Sequence, residues 1–556
     1  MIKQVCVTGA TGVMGSETVK QLSTLEEIKI RILVMNNKKE REFASSLVSK
    51  YGSDKIDIFY GDLRNYNDVS KFIKNSDYIL HIGGLVSPVA DDKPVLTYAV
   101  NVGGAQNIVK AIFENKLEET VKVVYIGSVA ETGDRNYPIH WGRTGDPIQV
   151  SVYDHYGISK VIAERVFAES GIKHWAVFRQ SGILYPGLLN NMKPIMFHVP
   201  LNGVLEWCTV EDSGRLMKNF VNFNLPEEFW NRFYNIGSGE FYRLTNYEFE
   251  YLLLRTCGLG SPRDLFQPNW FATQNFHGHY YADSDVLENY LKFRENLPTE
   301  EYFERLCNSA PIEFRLMKSV KVIKNVAFLA KPFMKLIAQE KDFGTLGWVN
   351  QNDKTRLDCF YGGKDSFEKL PDNWSEYAIK HYNTHVSASE KCKLDHGYDE
   401  SKPFESLTLE DLQKAAEFRG GKLVSTTVGK MTDKLVWKCG HCSKEFEASP
   451  NLILRGGHWC PHCFIPQKAW DYGRIAENNK FFAQVWYPHH NQEEKSYYDF
   501  NEIFDKECFD THSKKTKKSI IAVSSSNEYI YLSAIFVILF LFFTLFTYIR
   551  GSYSII

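Results

Sequence analysis

Residues 3–15 read KQVCVTGATGVMG, an apolar strand that runs into three evenly spaced glycines, and a helix-forming stretch follows at 16–25. A dinucleotide pyrophosphate requires this order, because residues without side chains let the backbone approach phosphate while the helix N-terminus offers unpaired N–H groups. Glycine turns between a strand and a helix also occur without a ligand, so the spacing of Gly9, Gly12 and Gly15 is a moderate signal by itself. With supporting residues downstream, it predicts a bound nicotinamide cofactor.

Residues 1–185 alternate short apolar runs with stretches of helical periodicity. We expect strands at 4–7, 30–34, 56–60, 78–82, 121–126 and 175–179, and helices that include 68–74, 95–115 and 155–169. Apolar strands that alternate with helices are typical of a parallel sheet covered on both faces. The predicted fold class is α/β, with a doubly wound parallel (Rossmann) sheet in 1–185, a smaller α/β substrate lobe in 186–310 and a helical or irregular extension of unknown role in 311–430.

Size and composition restrict the function classes. The 556 residues exceed what a single core accommodates. Lys plus Arg number 65 and Asp plus Glu 67, so the formal charge of -2 predicts no nucleic-acid partner and favours a small-molecule substrate. Only four of the eleven cysteines lie in CxxC pairs and the others are scattered, unlike a disulfide framework. Because residues 1–3 lead straight into a strand without a secretory signal, we expect a cytoplasmic catalytic domain.

The C-terminal segment contains a long apolar run. Residues 530–549 carry no charged side chain, and about 20 apolar residues suffice for the hydrocarbon layer. Four lysines between 514 and 518 precede the run and only Arg550 follows it, which favours a cytoplasmic location for the preceding residues. The pattern predicts a single-pass membrane anchor with a transmembrane helix at 529–549; a buried core helix is the alternative.

Further along the chain, a serine, a tyrosine and a lysine are suited to acid–base chemistry beside the cofactor. Tyr156 and Lys160 lie one helical turn apart and therefore share a helix face. A phenol titrates near 10 when unperturbed, and a neighbouring ammonium group favours the phenolate. Ser128 ends a predicted strand and therefore faces the crevice where ligands of parallel sheets bind. Gly83, after another strand, would let the backbone pass close to the cofactor ribose.

The order of these motifs resembles the extended short-chain dehydrogenase/reductase family of the NAD-dependent epimerase/dehydratase type, over residues 1 to about 300. The resemblance implies that Ser128, Tyr156 and Lys160 form the catalytic site: Tyr156 exchanges the substrate proton, Lys160 lowers its pKa and holds the nicotinamide ribose, and Ser128 orients the reacting oxygen. It also implies that Asp62 contacts adenine. The expected cofactor-binding residues are Gly9, Thr11, Gly12, Met14, Gly15, Asn36, Lys38, Asp62, Leu63, Gly83, Asn101, Tyr156 and Lys160.

The end of the second strand bears on the choice of cofactor. NAD selection commonly uses an acidic residue there, which accepts ribose hydrogen bonds and repels a 2′-phosphate. This chain has VMNNKK at 34–39 instead. Lys38 could contact a 2′-phosphate and Asn36 could serve an NAD ribose, so we expect NADP or NAD, with a slight preference for NADP.

Two CxxC pairs predict a metal centre. Cys439 and Cys442 are followed by Cys460 and Cys463, with 17 residues between the pairs. Such a spacing is within the range of zinc ribbons, where four thiolates surround the ion. A redox CxxC is the rival interpretation, but one such motif would suffice for thiol exchange. We expect a four-cysteine, zinc-ribbon-like module at 431–490 with a structural zinc ion.

Three functions fit these observations. The first is an NAD(P)-dependent oxidoreductase that transfers hydride to or from a carbonyl or carbinol carbon of an apolar, steroid-like or lipid-like substrate, which a membrane anchor would hold nearby. The second is a nucleotide-sugar epimerase or dehydratase with tightly bound NAD. The third is a non-enzymatic nucleotide-sensing scaffold, which the complete Ser128, Tyr156 and Lys160 set disfavours. The substrate, the direction of reaction and the oligomeric state stay open.

Overall fold

A seven-stranded parallel sheet positions the residues of the candidate site. The computed structural model describes residues 2–499 except 88, 191–192, 310–325, 387–390, 392, 466–468 and 493–496. The sheet has the order β7-β6-β5-β4-β1-β2-β3. Its strands are β1 (Lys3–Thr8), β2 (Ile28–Val34), β3 (Ile56–Tyr60), β4 (Tyr78–His81), β5 (Lys122–Ser128), β6 (His174–Gln180) and β7 (Arg232–Ile236). The predicted doubly wound α/β fold is confirmed.

Helices cover both faces of the sheet, as the alternating pattern predicts. They are α1 (Val13–Leu22), α2 (Lys38–Tyr51), α3 (Tyr66–Phe72), α4 (Pro94–Glu114), α5 (His155–Ala168) and α6 (Val210–Asn222). Polar side chains begin several of them: Asn37 caps α2, Asp154 caps α5 and Thr209 caps α6. The Asp154 cap fixes the first turn of α5, from which Tyr156 projects.

The edge strand β7 was not expected from the sequence. It lies in the region that the aromatic-rich, irregular sequence assigned to a substrate lobe, yet it pairs in parallel with β6, with Arg232 opposite Ala176 and Ile236 opposite Gln180. Helix α6 precedes it and packs closely on α1, where a side chain at Gly214 would lie 2.6 Å from Glu17 Cγ. The parallel sheet therefore extends beyond residue 185.

The cysteine-containing region packs on one face of this sheet. Strands β8 (Gly421–Leu423), β9 (Leu435–Cys439) and β10 (Glu445–Ala448) form an antiparallel sheet in the order β8-β9-β10, and a π-helical turn, Asn451–Arg455, follows. One hydrophobic cluster includes Val123 and Trp175 of the parallel sheet together with Trp437, Leu452 and Trp459. The described residues accordingly form one compact unit.

Shorter elements complete the described chain. The other α-helices are Val89–Asp92, Asn246–Thr256, Pro262–Leu265, Ser284–Leu291, Thr299–Asn308, Val326–Ala338, Thr345–Gln351, Lys354–Tyr361, Lys364–Glu368, Leu409–Phe418, Tyr472–Asn478 and Lys480–Trp486. Short strands lie at Trp141–Gly142, Ile183–Leu184, Val204–Glu206, Cys208–Thr209, Arg243–Thr245, Tyr280–Tyr281, Ala469–Trp470 and Tyr498–Asp499. Single 3₁₀ turns lie at Val129–Thr132, Pro186–Asn190, Pro194–Phe197, Glu227–Phe229, Glu240–Tyr242, Pro268–Trp270 and Phe404–Ser406.

The prediction of a single-pass membrane anchor, and with it a membrane location, is wrong by the structural criterion. Among the helices of the described residues, none has the length and apolar character needed to cross a membrane. The 21-residue α4 is long enough but carries Asn101, Asn107 and Lys110, which a bilayer core would not accommodate. The predicted segment 529–549 itself lies outside the described residues.

Candidate functional site

The glycine loop after β1 forms a tight cradle. Gly9 has φ +71°, a left-handed conformation that favours glycine, and its carbonyl oxygen accepts the Gly12 N–H at 3.0 Å. A Cβ atom on Gly9 would lie 2.6 Å from Gly83 Cα, so the loop and the end of β4 approach too closely for side chains. At Gly15, a Cβ atom would overlap the Gly9 carbonyl oxygen. The structure thus gives a physical reason for each of these glycines.

Polar contacts tie the loop after β4 to this cradle. Thr8 Oγ1 accepts the N–H of Gly83 at 2.9 Å. Asn101 Oδ1 accepts the N–H of Leu85 at 2.8 Å, and its Nδ2 donates to Leu85 O at 3.0 Å and to Ser159 Oγ at 2.9 Å. The structure therefore brings Gly9, Gly83 and Asn101 together, as expected for a cofactor crevice, and Asn101 links this crevice to α5.

The other predicted cofactor residues lie in varied surroundings. Met14 is buried in the core, and Leu63 packs beside Gly83, where a Cβ atom would be 3.2 Å from Leu63 Cδ1. Thr11 is partly buried at the mouth of the loop. Asn36 and Lys38 are exposed beyond the end of β2, and Lys38 forms a loose 3.9 Å ion pair with Glu42. These two polar residues offer no built 2′-phosphate site.

Asp62 forms an ion pair with Arg64. Arg64 Nη2 donates to Asp62 Oδ2 at 2.6 Å and Arg64 Nε to Oδ1 at 3.1 Å. Partial burial raises the pKa of Asp62, but the hydrogen bonds and charge of Arg64 lower it overall. Asp62 is therefore ionised near neutral pH, and an adenine amino group would have to share its carboxylate with Arg64.

The three predicted catalytic residues meet at the carboxyl end of β5. The Ser128 hydroxyl accepts the Ala130 N–H at 3.2 Å and lies near enough to the Tyr156 hydroxyl to lower the pKa of that phenol. Lys160 Nζ donates to Ile126 O at 2.8 Å and lies 5.8 Å from the centre of the Tyr156 ring. A Cβ atom on Gly84 would be 3.5 Å from Lys160 Nζ, so the ammonium group also faces the cofactor crevice.

The electrostatics of this group suit a proton exchange that depends on a bound ligand. Burial raises the pKa of Tyr156 above its ordinary value, and the hydrogen bond from Ser128 opposes this. Burial lowers the pKa of Lys160 to about 8, with Glu131 acting in the opposite direction. In this state the phenol carries its proton, and a cationic ring beside it would favour the phenolate.

A buried ionic network beneath Ser128 was missed by the sequence analysis. Arg179 Nη2 and Nε donate to Glu164 at 2.6 and 3.0 Å, and Arg179 Nε lies 3.4 Å from Glu131 Oε2. Glu131 Oε1 in turn accepts the Ser128 N–H at 2.7 Å. One sequence signal could have pointed to it: Tyr156, Lys160 and Glu164 recur every four residues, which places Glu164 on the catalytic face of α5.

The two acids of this network hold different protonation states. Burial and repulsion from Glu164 raise the pKa of Glu131 well above its ordinary value. Burial also opposes ionisation of Glu164, but the charge of Arg179 and hydrogen bonds from His458 and Arg179 lower its pKa overall. Glu164 is thus the ionised partner of Arg179, and Glu131 is the neutral one.

The four predicted metal-binding cysteines converge at the end of β9. All four sulfur atoms of Cys439, Cys442, Cys460 and Cys463 lie within 4.8 Å of one another. The Sγ–Sγ distances are 3.9 Å for Cys439 and Cys463 and 3.7 Å for Cys442 and Cys460. Tetrahedral thiolates at ~2.3 Å from zinc would be separated by about 3.8 Å. The donor set and spacing therefore fit a zinc site with four cysteine ligands.

Most of the sheet-forming region matches a known protein family. Residues 5–177 match the sequence model of the NAD dependent epimerase/dehydratase family. Over these residues the chain is similar to that family. The match confirms the predicted resemblance to the epimerase/dehydratase family for this region. Tyr156 and Lys160 both lie inside the matched range.

Named relatives act on nucleotide sugars. UDP-glucose 4-epimerase from Rickettsia bellii is 29% identical over 143 residues, 25% of this chain and 39% of that protein. UDP-N-acetylglucosamine 4,6-dehydratase (inverting) from Campylobacter jejuni is 29% identical over 121 residues, 21% of this chain and 35% of that protein. The chain thus spans less than half the length of these relatives.

Similarity to solved structures is limited. A dTDP-glucose 4,6-dehydratase from Streptomyces venezuelae with NAD bound is 18% identical, with a TM-score of 0.44 over 55% of this chain and 96% of that one. Neither these comparisons nor the site geometry supports the predicted steroid-like or lipid-like substrate or the preference for NADP.

Proposed function

We propose that this protein binds NAD and acts as a nucleotide-sugar epimerase or dehydratase, the second of the functions predicted from its sequence. The observation that carries the proposal is the grouping of Ser128, Tyr156 and Lys160 beside the glycine loop, in the part of the chain that is similar to the epimerase/dehydratase family. The named relatives favour a nucleotide sugar over a lipid.

The crevice fits a dinucleotide. Gly9 and Gly15 let the loop backbone pack tightly without side chains, and the N-terminus of α1 follows directly, where unpaired N–H groups attract a pyrophosphate. When bound, NAD would supply the hydride acceptor. We favour NAD over NADP because Lys38 is exposed and faces Glu42, which weakens its attraction for a 2′-phosphate.

Apart from the hydride acceptor, each chemical role in the reaction would be filled by a side chain of the site. Tyr156 would remove the proton from the sugar hydroxyl that is oxidised and return it in the reverse step. Lys160 would hold the ribose and favour the phenolate through its charge, while Ser128 would hydrogen-bond the reacting oxygen. Each of these roles uses an atom that lies within the same small group of side chains.

We also propose that the four-cysteine site binds zinc. Four thiolates fill a tetrahedral coordination shell, so the ion would stabilise the fold and take no part in the chemistry. Metal analysis of the purified full chain should give about one zinc per chain, with loss of that zinc in Cys460→Ser and retention in Cys257→Ala, a single buried cysteine outside the cluster.

The enzymatic proposal is tested with the full chain and four probes: UDP-glucose, UDP-N-acetylglucosamine, UDP-glucuronic acid and dTDP-glucose. We expect conversion of at least one probe, detected by chromatography, without net consumption of NAD. Tyr156→Phe should reduce conversion by about 10²–10⁴-fold while calorimetry still shows NAD binding. Failure of both NAD and NADP to bind the wild-type chain would refute the proposal, as would NAD binding with no conversion of any probe.

A further inference from the structure

The chain between the two CxxC pairs lies directly against the catalytic helix. Arg165 on α5 donates to Glu447 O at 3.0 Å and to Trp459 O at 3.3 Å. At the end of the same helix, Ser449 Oγ donates to Glu169 Oε1 at 2.7 Å. Residues 447–459, which we call the inter-pair segment, therefore follow the outer side of α5 for more than a turn.

Two contacts of this segment reach the buried network. His458 Nε2 lies 2.8 Å from Glu164 Oε1, and these side chains are only 2% and 0% exposed. Arg179 Nη2 donates to Gly456 O at 2.7 Å as well as to Glu164. The inter-pair segment thus supplies an imidazole to the acid and a carbonyl oxygen to the guanidinium group.

The network continues to the catalytic serine. Glu131 contacts Arg179 on one side and accepts the Ser128 N–H with its other oxygen. Gly127 makes room for this arrangement: a Cβ atom there would lie 2.7 Å from Glu131 Oε1 and 3.3 Å from Glu164 Oε2. The path is shielded from solvent throughout, since Glu131, Glu164 and Arg179 are at most 1% exposed.

We propose that the inter-pair segment holds the catalytic serine in place, with His458 as a positioning residue that acts through Glu164, Arg179 and Glu131. The role depends on the proposed function of Ser128. His458 lies two residues before Cys460, so closure of the metal site would fix the backbone that presents the imidazole. By linkage, disturbance at either end should be felt at the other.

The test measures amide hydrogen exchange in the full chain with metal bound and without cofactor or substrate. The Ser128 amide reports on the network directly, because its N–H bonds to Glu131. We expect exchange at Ser128 to become at least tenfold faster in His458→Leu, which keeps bulk but loses the ring nitrogen. His458→Gln, which retains a donor for Glu164, should restore exchange to near the wild-type rate.

A matched control lies on the same interface. Ser449→Ala removes the hydroxyl that donates to Glu169 and accepts the Leu452 N–H, but it leaves every side chain of the network in place, so exchange at Ser128 should stay at the wild-type rate. Exchange at Gly12, whose N–H bonds within the glycine loop, should be unchanged in every variant. Wild-type exchange at Ser128 in His458→Leu, or an equal rise at Gly12, would overturn the proposal.

A second variant perturbs the network at the end that adjoins the catalytic serine. Gly127→Ala would crowd Glu131 and should speed exchange of the His458 amide, which donates to Leu452 O. This variant decides the matter if His458→Leu does not fold, and an unchanged His458 amide in Gly127→Ala would count against the coupling. Because exchange needs no turnover, absence of epimerase activity would refute the proposed function without altering this result.

Discussion

Replacement of Arg179 by leucine offers a quantitative test of the buried network. Arg179 is 1% exposed and donates hydrogen bonds to both oxygens of Glu164 and to Gly456 O. Leucine would keep part of the volume but leave the Glu164 carboxylate buried with His458 as its remaining partner. Removal of one member of a buried ion pair costs about 3–5 kcal/mol, and we expect a loss in that range at pH 7.5.

The loss should depend on pH. In the wild type the pKa of Glu164 is lowered, so its contribution is present above the unfolded pKa of about 4.3 and disappears only in stronger acid. In Arg179→Leu the pKa should rise above the unfolded value, because burial remains and the cation is gone. The variant should therefore lose stability as the pH rises from 5.5 to 7.5, while Glu164 adds no slope to the wild type.

Urea unfolding followed by tryptophan fluorescence at pH 5.5 and 7.5 provides the measurement. The double variant Arg179→Leu, Glu164→Leu removes both charges and should recover much of the loss and all of its pH dependence. Arg64→Leu breaks the more exposed pair with Asp62 and should cost about 0–1 kcal/mol. An Arg179→Leu midpoint shift that is the same at both pH values would refute the assignment of Glu164 as the ionised member.

Three further outcomes follow from the site. Gly9→Ala places a Cβ atom 2.6 Å from Gly83 Cα at φ +71°, so calorimetry should show at least a tenfold loss of NAD affinity, with retained helical circular dichroism. Tyr156→Phe should reduce turnover of a converted probe by about 10²–10⁴-fold with unchanged NAD affinity. Burial lowers the pKa of Lys160 to about 8, so the unfolded chain binds more protons, and wild-type stability relative to Lys160→Met should rise between pH 8 and 10.

Local pattern predicted most of the sheet because each strand carries its own signal. The run at Lys122–Ser128 is short and mostly apolar, which a central strand buried on both faces requires. The edge strand Ile56–Tyr60 is only partly buried, but its apolar, β-prone residues still predict a strand. Strand Arg232–Ile236 was not predicted because it lies beyond the alternating region, in the aromatic-rich stretch that the sequence assigned to a substrate lobe. Its place in the sheet is determined by its pairing with β6, which no local window contains.

The catalytic residues could be predicted for a similar reason, since Tyr156 and Lys160 are neighbours on one helix and Ser128 ends a strand. The buried residues that support them could not be predicted from the sequence. Glu131 and Arg179 are residue types that are mostly exposed, and only the fold buries them beside Glu164. His458 is separated from Glu164 by 294 residues and approaches it because Leu452 and Trp459 join the core beneath α5. A buried carboxylate is paired with the polar groups that the fold brings close to it. The inter-pair segment can therefore contact the network at the end of β5, although the spacing of the residues in this segment does not indicate that role.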